Sequence, residues 1–195
     1  MPNEDYGLGK LSFTQIKFET STKTEEIRFS CWGGRFRIGV VKKGEFRPIY
    51  EFIASGDKGL VVRRMLEKIA KSSPGTRLPI VFSAWNKDER AWKPAHVLTF
   101  GKNDKNVYYV ELQWKGSKYE ATIKGPAGIA LGSDSMSEAE RSAYGLDYLI
   151  DYVTNTVRLQ EILSNKKMEM APGARGPAPV SGGDGGGNTD GMDLF

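Results

Sequence analysis

Apolar and polar residues alternate through most of the first 124 positions, with one interruption. In residues 27–32, Ile27, Phe29 and Cys31 share one parity, and Arg28, Ser30 and Trp32 the other. That is the pattern of a half-buried strand. Residues 35–42 repeat it, with Phe36, Ile38 and Val40 inward and Arg35, Arg37 and Gly39 outward. Gly33-Gly34 between them is a hairpin turn signal. Residues 11–19 form an earlier strand in which Leu11/Phe13 and Ile16/Phe18 are out of phase by one, predicting a bulge. Residues 48–54 form a fourth strand after Lys43-Gly44-Glu45. The period then changes. Apolar residues at 61, 62, 65, 66 and 69 mark one face of a helix over 60–71, bounded by Gly56-Asp57-Lys58-Gly59 and Ser72-Ser73-Pro74-Gly75. A second cycle follows, with strands at 78–85, 95–100, 107–114 and 118–124. Residues 86–94 read as a loop. A long helix is predicted over 137–164. Ser137 and Glu140 supply its capping box, and Tyr144, Tyr148, Leu149, Tyr152, Val153 and Val157 its apolar stripe.

Four strands and a helix, twice over, predict an α+β fold of two ββββα repeats, at about 10–73 and 76–165. Each antiparallel sheet packs one face on a helix and leaves the other open. An OB-fold with added helices is the alternative architecture. Residues 1–9 are expected to be a flexible N-terminus and 10–170 the folded, nucleic-acid-binding domain.

Composition narrows the chemistry. The single cysteine, Cys31, cannot form an internal bridge, and with the single histidine, His96, it excludes the common Cys/His zinc sites. Little is left for Cys–His or Ser–His catalysis, and His96 reads as a structural residue. Gly56-Asp57-Lys58-Gly59 is too short for a phosphate-binding Walker loop. Asp88/Glu89 sit in a charged loop, and Glu138/Glu140 sit in a first helical turn, where the dipole accounts for them. No catalytic residue, metal or cofactor is expected, and the chain is not read as an enzyme. No apolar run approaches membrane-spanning length. The polar start Met1-Pro2-Asn3-Glu4-Asp5 does not read as a signal peptide. A cytoplasmic location without membrane contact is expected.

Charge and glycine are unevenly spread. Residues 171–195 hold one base, Arg175, against Asp184, Asp190 and Asp193, with eight of the chain's 23 glycines and three of its nine prolines. The excess of 28 basic over 24 acidic side chains is therefore concentrated in the body. Such a tail cannot bury enough surface to offset its ordering entropy and reads as disordered. Its tip, Asp190 to Phe195, combines acids with apolar residues as a short docking peptide does.

The candidate binding residues lie on strand faces opposite the core. Arg28, Trp32, Arg35 and Arg37 fall on two adjacent predicted strands and form one basic, aromatic patch. Trp85, Lys87, Arg90, Trp92 and Lys93 surround the second loop, with Lys102 at the next turn. Interleaved cations and rings suit single-stranded nucleic acid, because cations track phosphates and rings stack on unpaired bases. Duplex DNA hides its base faces, so aromatics help less there.

The duplicated pattern resembles the Whirly and PUR-type folds, which bind single-stranded nucleic acid. Whirly proteins carry a Lys-Gly-Lys-Ala-Ala-Leu stretch. Gly33-Gly34-Arg35-Phe36-Arg37-Ile38 stands at the comparable place, with Gly34, Arg35 and Ile38 matching in type and Gly33, Phe36 and Arg37 departing. This resemblance covers roughly 10–165 and implies a homo-oligomer. The tail is similar to the C-termini of bacterial and phage single-stranded DNA-binding proteins. Asp190, Asp193, Leu194 and Phe195 match, although Leu194 stands where proline is usual. That resemblance implies docking of replication, recombination or repair proteins on the tip, and a phage-encoded setting. The expected function is coating of single-stranded DNA with little sequence specificity. The alternatives are a PUR-type RNA or DNA regulator and an oligomeric adaptor that binds no nucleic acid.

Overall fold

The computed structural model describes residues 14–32, 35–125 and 136–169. Strands β1 (Thr14–Glu19), β2 (Glu25–Trp32), β3 (Arg35–Lys42) and β4 (Pro48–Ile53) precede helix α1 (Asp57–Ala70). Strands β5 (Arg77–Asn86), β6 (Ala91–Lys102), β7 (Tyr108–Trp114) and β8 (Ser117–Thr122) precede helix α2 (Glu138–Glu169). The fold is α+β, with two four-stranded antiparallel sheets in the orders β1-β2-β3-β4 and β5-β6-β7-β8. Each is an open meander, unlike the five-stranded barrel of the OB alternative.

Strand boundaries follow the alternation, but three local features depart from it. Residues 11–13, with the bulge expected there, lie outside the described residues. Thr14–Glu19 pairs with β2 without a register shift, and shifts occur between Val40 and Val41 and between Phe82 and Ser83. The loop expected over 86–94 shrinks to a turn at 87–90: β5 runs to Asn86 and β6 starts at Ala91, so the flanking residues pair as a ribbon. Tyr144 and Tyr148, assigned to the apolar stripe of α2, are exposed, and the buried stripe runs through Leu146, Leu149, Val153 and Val157. The expected N-cap is present: Ser137 N–H donates to Glu140 Oε2 at 2.8 Å, and Glu140 N–H donates to Ser137 Oγ at 3.2 Å.

One core joins both repeats. Phe29 of β2 is fully buried and meets Phe18, Phe36 and, from the other sheet, Phe100 of β6. Tyr50 of β4 stacks on Trp114 of β7 with centroids 4.2 Å apart. Phe52 lies beside Phe82 and stacks on His96. The sheets also touch at their edges, where Thr20 bridges to Ala121 and Ser21 N–H donates to the Glu120 carbonyl at 3.0 Å. The helices pack on each other and on both sheets. At Gly145 of α2 an added Cβ would lie 2.4 Å from the Lys124 backbone, so only glycine allows the helix this close to the end of β8.

His96 is half-buried against Tyr50 and Phe52, with the Tyr50 hydroxyl bonded to its Nδ1. Burial lowers its pKa from the ordinary 6.5, and the Lys58 charge acts in the same direction. Burial raises that of Tyr50, so a protonated phenol stands against a neutral ring. The unfolded chain therefore takes up the imidazole proton first as pH falls through 6.5. Stability on this account drops as the medium is acidified through that range. The expected result is a melting temperature that falls from about pH 7.5 to about pH 5.5, and falls less steeply in His96→Phe. Parallel slopes for the two proteins would contradict it.

Candidate nucleic-acid interface

The predicted surface splits into two regions with different fates. On the first sheet, Arg28 does not face solvent as expected: it is 5% exposed and belongs to the protein's own structure. Its Nη1 donates to the Phe46 carbonyl and its Nη2 to Glu51 Oε1, both at 3.0 Å. Glu51 also binds Arg37 Nη1 at 2.7 Å through its other oxygen. A guanidinium held this way by a carboxylate and a carbonyl is not presented to phosphate. The strand pattern placed Arg28 opposite the core correctly, but its partners lie 18 and 23 residues away, beyond any local pattern. Arg35 is exposed at the start of β3. It pairs in register with Trp32.

The second region is better built. Strand β6 pairs with β7 only from His96 onward, whereas its pairing with β5 runs out to Ala91. Residues 83–95 therefore form a two-stranded ribbon that projects beyond the sheet. Trp85 and Trp92 face each other across it in register. Their rings meet edge to face, with centroids 5.7 Å apart, and they remain 50% and 68% exposed. Cross-strand partners share a face, so both rings stand on the open side of the second sheet.

The ribbon's turn is locally determined. Asn86 Oδ1 accepts the N–H groups of Asp88 at 3.0 Å and Glu89 at 3.3 Å, the short-range bonding that makes asparagine a turn former. Arg90 takes a left-handed φ of 48° to close it. Lys93 pairs with Glu89, while Lys87 and Arg90 are exposed in the turn itself. Lys102 sits at the far end of β6, donating to the Ser72 carbonyl at 3.2 Å and lying over the Tyr108 ring. It ties the segment after α1 to the sheet and is not brought together with the ribbon.

The open face of the second sheet carries further groups beyond the expected site residues. Val81, 55% exposed, lies on β5 between the tryptophans and the far end of the sheet. There Arg77, Gly101 and Tyr109 stand in one row across three strands. A Cβ at Gly101 would fall 2.0 Å from the Tyr109 ring, so that ring lies flat across the strand. Beside it Glu111, 1% exposed, binds Arg77 at 3.0 Å and Lys118 at 2.7 Å. Burial pushes the Glu111 carboxyl up, but bonds from Lys118 and Gln113, with the Arg77 charge, hold it below its usual range. A strand glycine facing an aromatic is the signal that could have marked this place.

Among the described residues no group of three His, Cys, Asp or Glu side chains is placed to hold a metal ion. No helix among them is long and apolar enough to cross a membrane. Asp190, Asp193, Leu194 and Phe195, with the rest of residues 170–195, lie outside the described residues, as do residues 1–13.

No family model matches the chain, and no curated protein matches it. One solved structure, that of Trypanosoma bruciei MRP1/MRP2, is similar at a TM-score of 0.42 and 8% identity, covering 78% of this chain and 87% of that one. A likeness at this level bears on neither family nor function.

Proposed function

We propose that this protein binds single-stranded nucleic acid, DNA in the first instance, with little sequence specificity. The observation that carries the reading is the Trp85–Trp92 pair. Two large rings stand half or more exposed on a ribbon whose turn is internally bonded and carries exposed Lys87 and Arg90. Exposed rings contribute little to folding, and contiguous exposed apolar surface marks interaction sites. Stacking on unpaired bases uses both rings, and the adjacent cations meet the phosphates. Arg35, exposed on the first sheet, is a further phosphate contact in this reading.

On the same reading the chain works as a cytoplasmic homo-oligomer that coats exposed strands. The tip containing Asp190, Asp193, Leu194 and Phe195 recruits replication or repair proteins. Fluorescence anisotropy of a labelled oligo-dT tests the binding step. With two to four phosphates contacted, the slope of log affinity against log salt is expected to be about −1.5 to −3. Matched duplex should compete poorly. Equal competition by duplex, or no binding at low salt, would contradict the proposal.

A further inference from the structure

The tryptophan pair is one end of a longer surface, and this inference rests on the nucleic-acid reading above. The register shift at Phe82/Ser83 leaves Trp92 and Pro94 on the same face of β6 as Val97, Thr99 and Gly101. Trp85, Val81 and Arg77 share that face on β5. The open side therefore presents the two indoles, then exposed Val81, then Tyr109 laid flat over Gly101 with Arg77 beyond it. We infer that Tyr109 is a second base-stacking platform, and that a single strand runs along β5 and β6 from the tryptophans to Tyr109.

Three features support this. The Tyr109 ring lies along the sheet surface, because Gly101 has no side chain to lift it. It is only half-buried, so its outer surface is open to a base. Arg77, whose side chain is 56% exposed, leaves part of its guanidinium for a phosphate while one nitrogen binds Glu111. Two acids, Glu111 and Glu120, stand beside Tyr109 and would repel a strand if alone; Arg77 and Lys118 pair with Glu111, and Lys118 also reaches Glu120 at 3.5 Å, so the charges there balance. Eight strand steps separate Trp92 from Gly101 once the bulged residue is discounted. At strand spacing that is about 26 Å, the span of roughly four or five nucleotides of extended single strand.

The test is an oligo-dT length series with the full-length protein, read by intrinsic tryptophan quenching. Wild-type affinity is expected to climb steeply up to about five nucleotides and then flatten. Tyr109→Ala should lose about tenfold on the longer oligomers while keeping the same maximal quenching, since the tryptophans still stack. Tyr109→Phe should restore binding, because the platform needs the ring and not the hydroxyl. Gly101→Ala is the second variant: the new methyl forces the Tyr109 ring off the surface, so it should reproduce the loss with Tyr109 still in place. Wild-type affinity in both Tyr109→Ala and Gly101→Ala, or a plateau at two nucleotides, would overturn the track while leaving the tryptophan site standing. Failure of the wild type to bind any oligomer would overturn both.

Discussion

Replacing both Trp85 and Trp92 by alanine is expected to weaken binding of oligo-dT roughly a hundredfold and to leave the fold intact. Each base stacked on an aromatic ring contributes about 1–3 kcal/mol, and each factor of ten corresponds to about 1.4 kcal/mol. Two stacks lost together give that size even at the lower half of the range. The fold should survive because neither ring is part of the core: both are at least half exposed, and their contact is with each other. The turn beyond them is held by Asn86 and by the Lys93–Glu89 pair, which the substitutions leave alone. The check is anisotropy on a labelled oligo-dT beside thermal melting of the same samples. Unchanged affinity with an unchanged melt would remove the ribbon from the binding surface.

Phe29→Ala is expected to cost about 3–5 kcal/mol of stability and to lower the melting temperature by about 10 °C in a domain of this size. Phe29 is fully buried and carries contacts to both sheets, with its centroid 6.5 Å from that of Phe100. Truncating it opens a cavity at the centre, between four strands that cannot all relax inward at once. The transition should stay single, since the two repeats share this core through Phe29–Phe100, Tyr50–Trp114 and Phe52–Phe82. Two separate transitions, or a loss confined to one half, would show that the repeats fold independently.

The architecture was readable because its signals are local. Period-two alternation in 27–32 and 35–42 and the change of period after Gly59 place strands and helix without reference to the rest of the chain. The capping box at Ser137 and Glu140 is equally local, and the structure has it. The candidate surface was readable only in part. Trp85 and Trp92 stood out by composition, but their pairing across a ribbon did not, because the charged run 87–90 and Pro94 read as a loop. Arg28 was placed on the correct face and given the wrong task, since Glu51 and the Phe46 carbonyl reach it from distant sequence. Tyr109 was missed because its posture depends on Gly101 of the neighbouring strand. Tyr144 and Tyr148 fit the helical spacing, yet α2 exposes them and turns Leu146 to the core beside the expected Leu149.

The central claim is that the exposed tryptophans meet unpaired bases. Titrating the protein with oligo-dT while following intrinsic tryptophan fluorescence, at two salt concentrations and with matched duplex and RNA as competitors, tests it most directly. The expected result is quenching that weakens as salt rises, that duplex does not reverse, and that is lost in the Trp85→Ala/Trp92→Ala double variant. Unchanged fluorescence at both salts, with no retarded complex on a native gel, would contradict it.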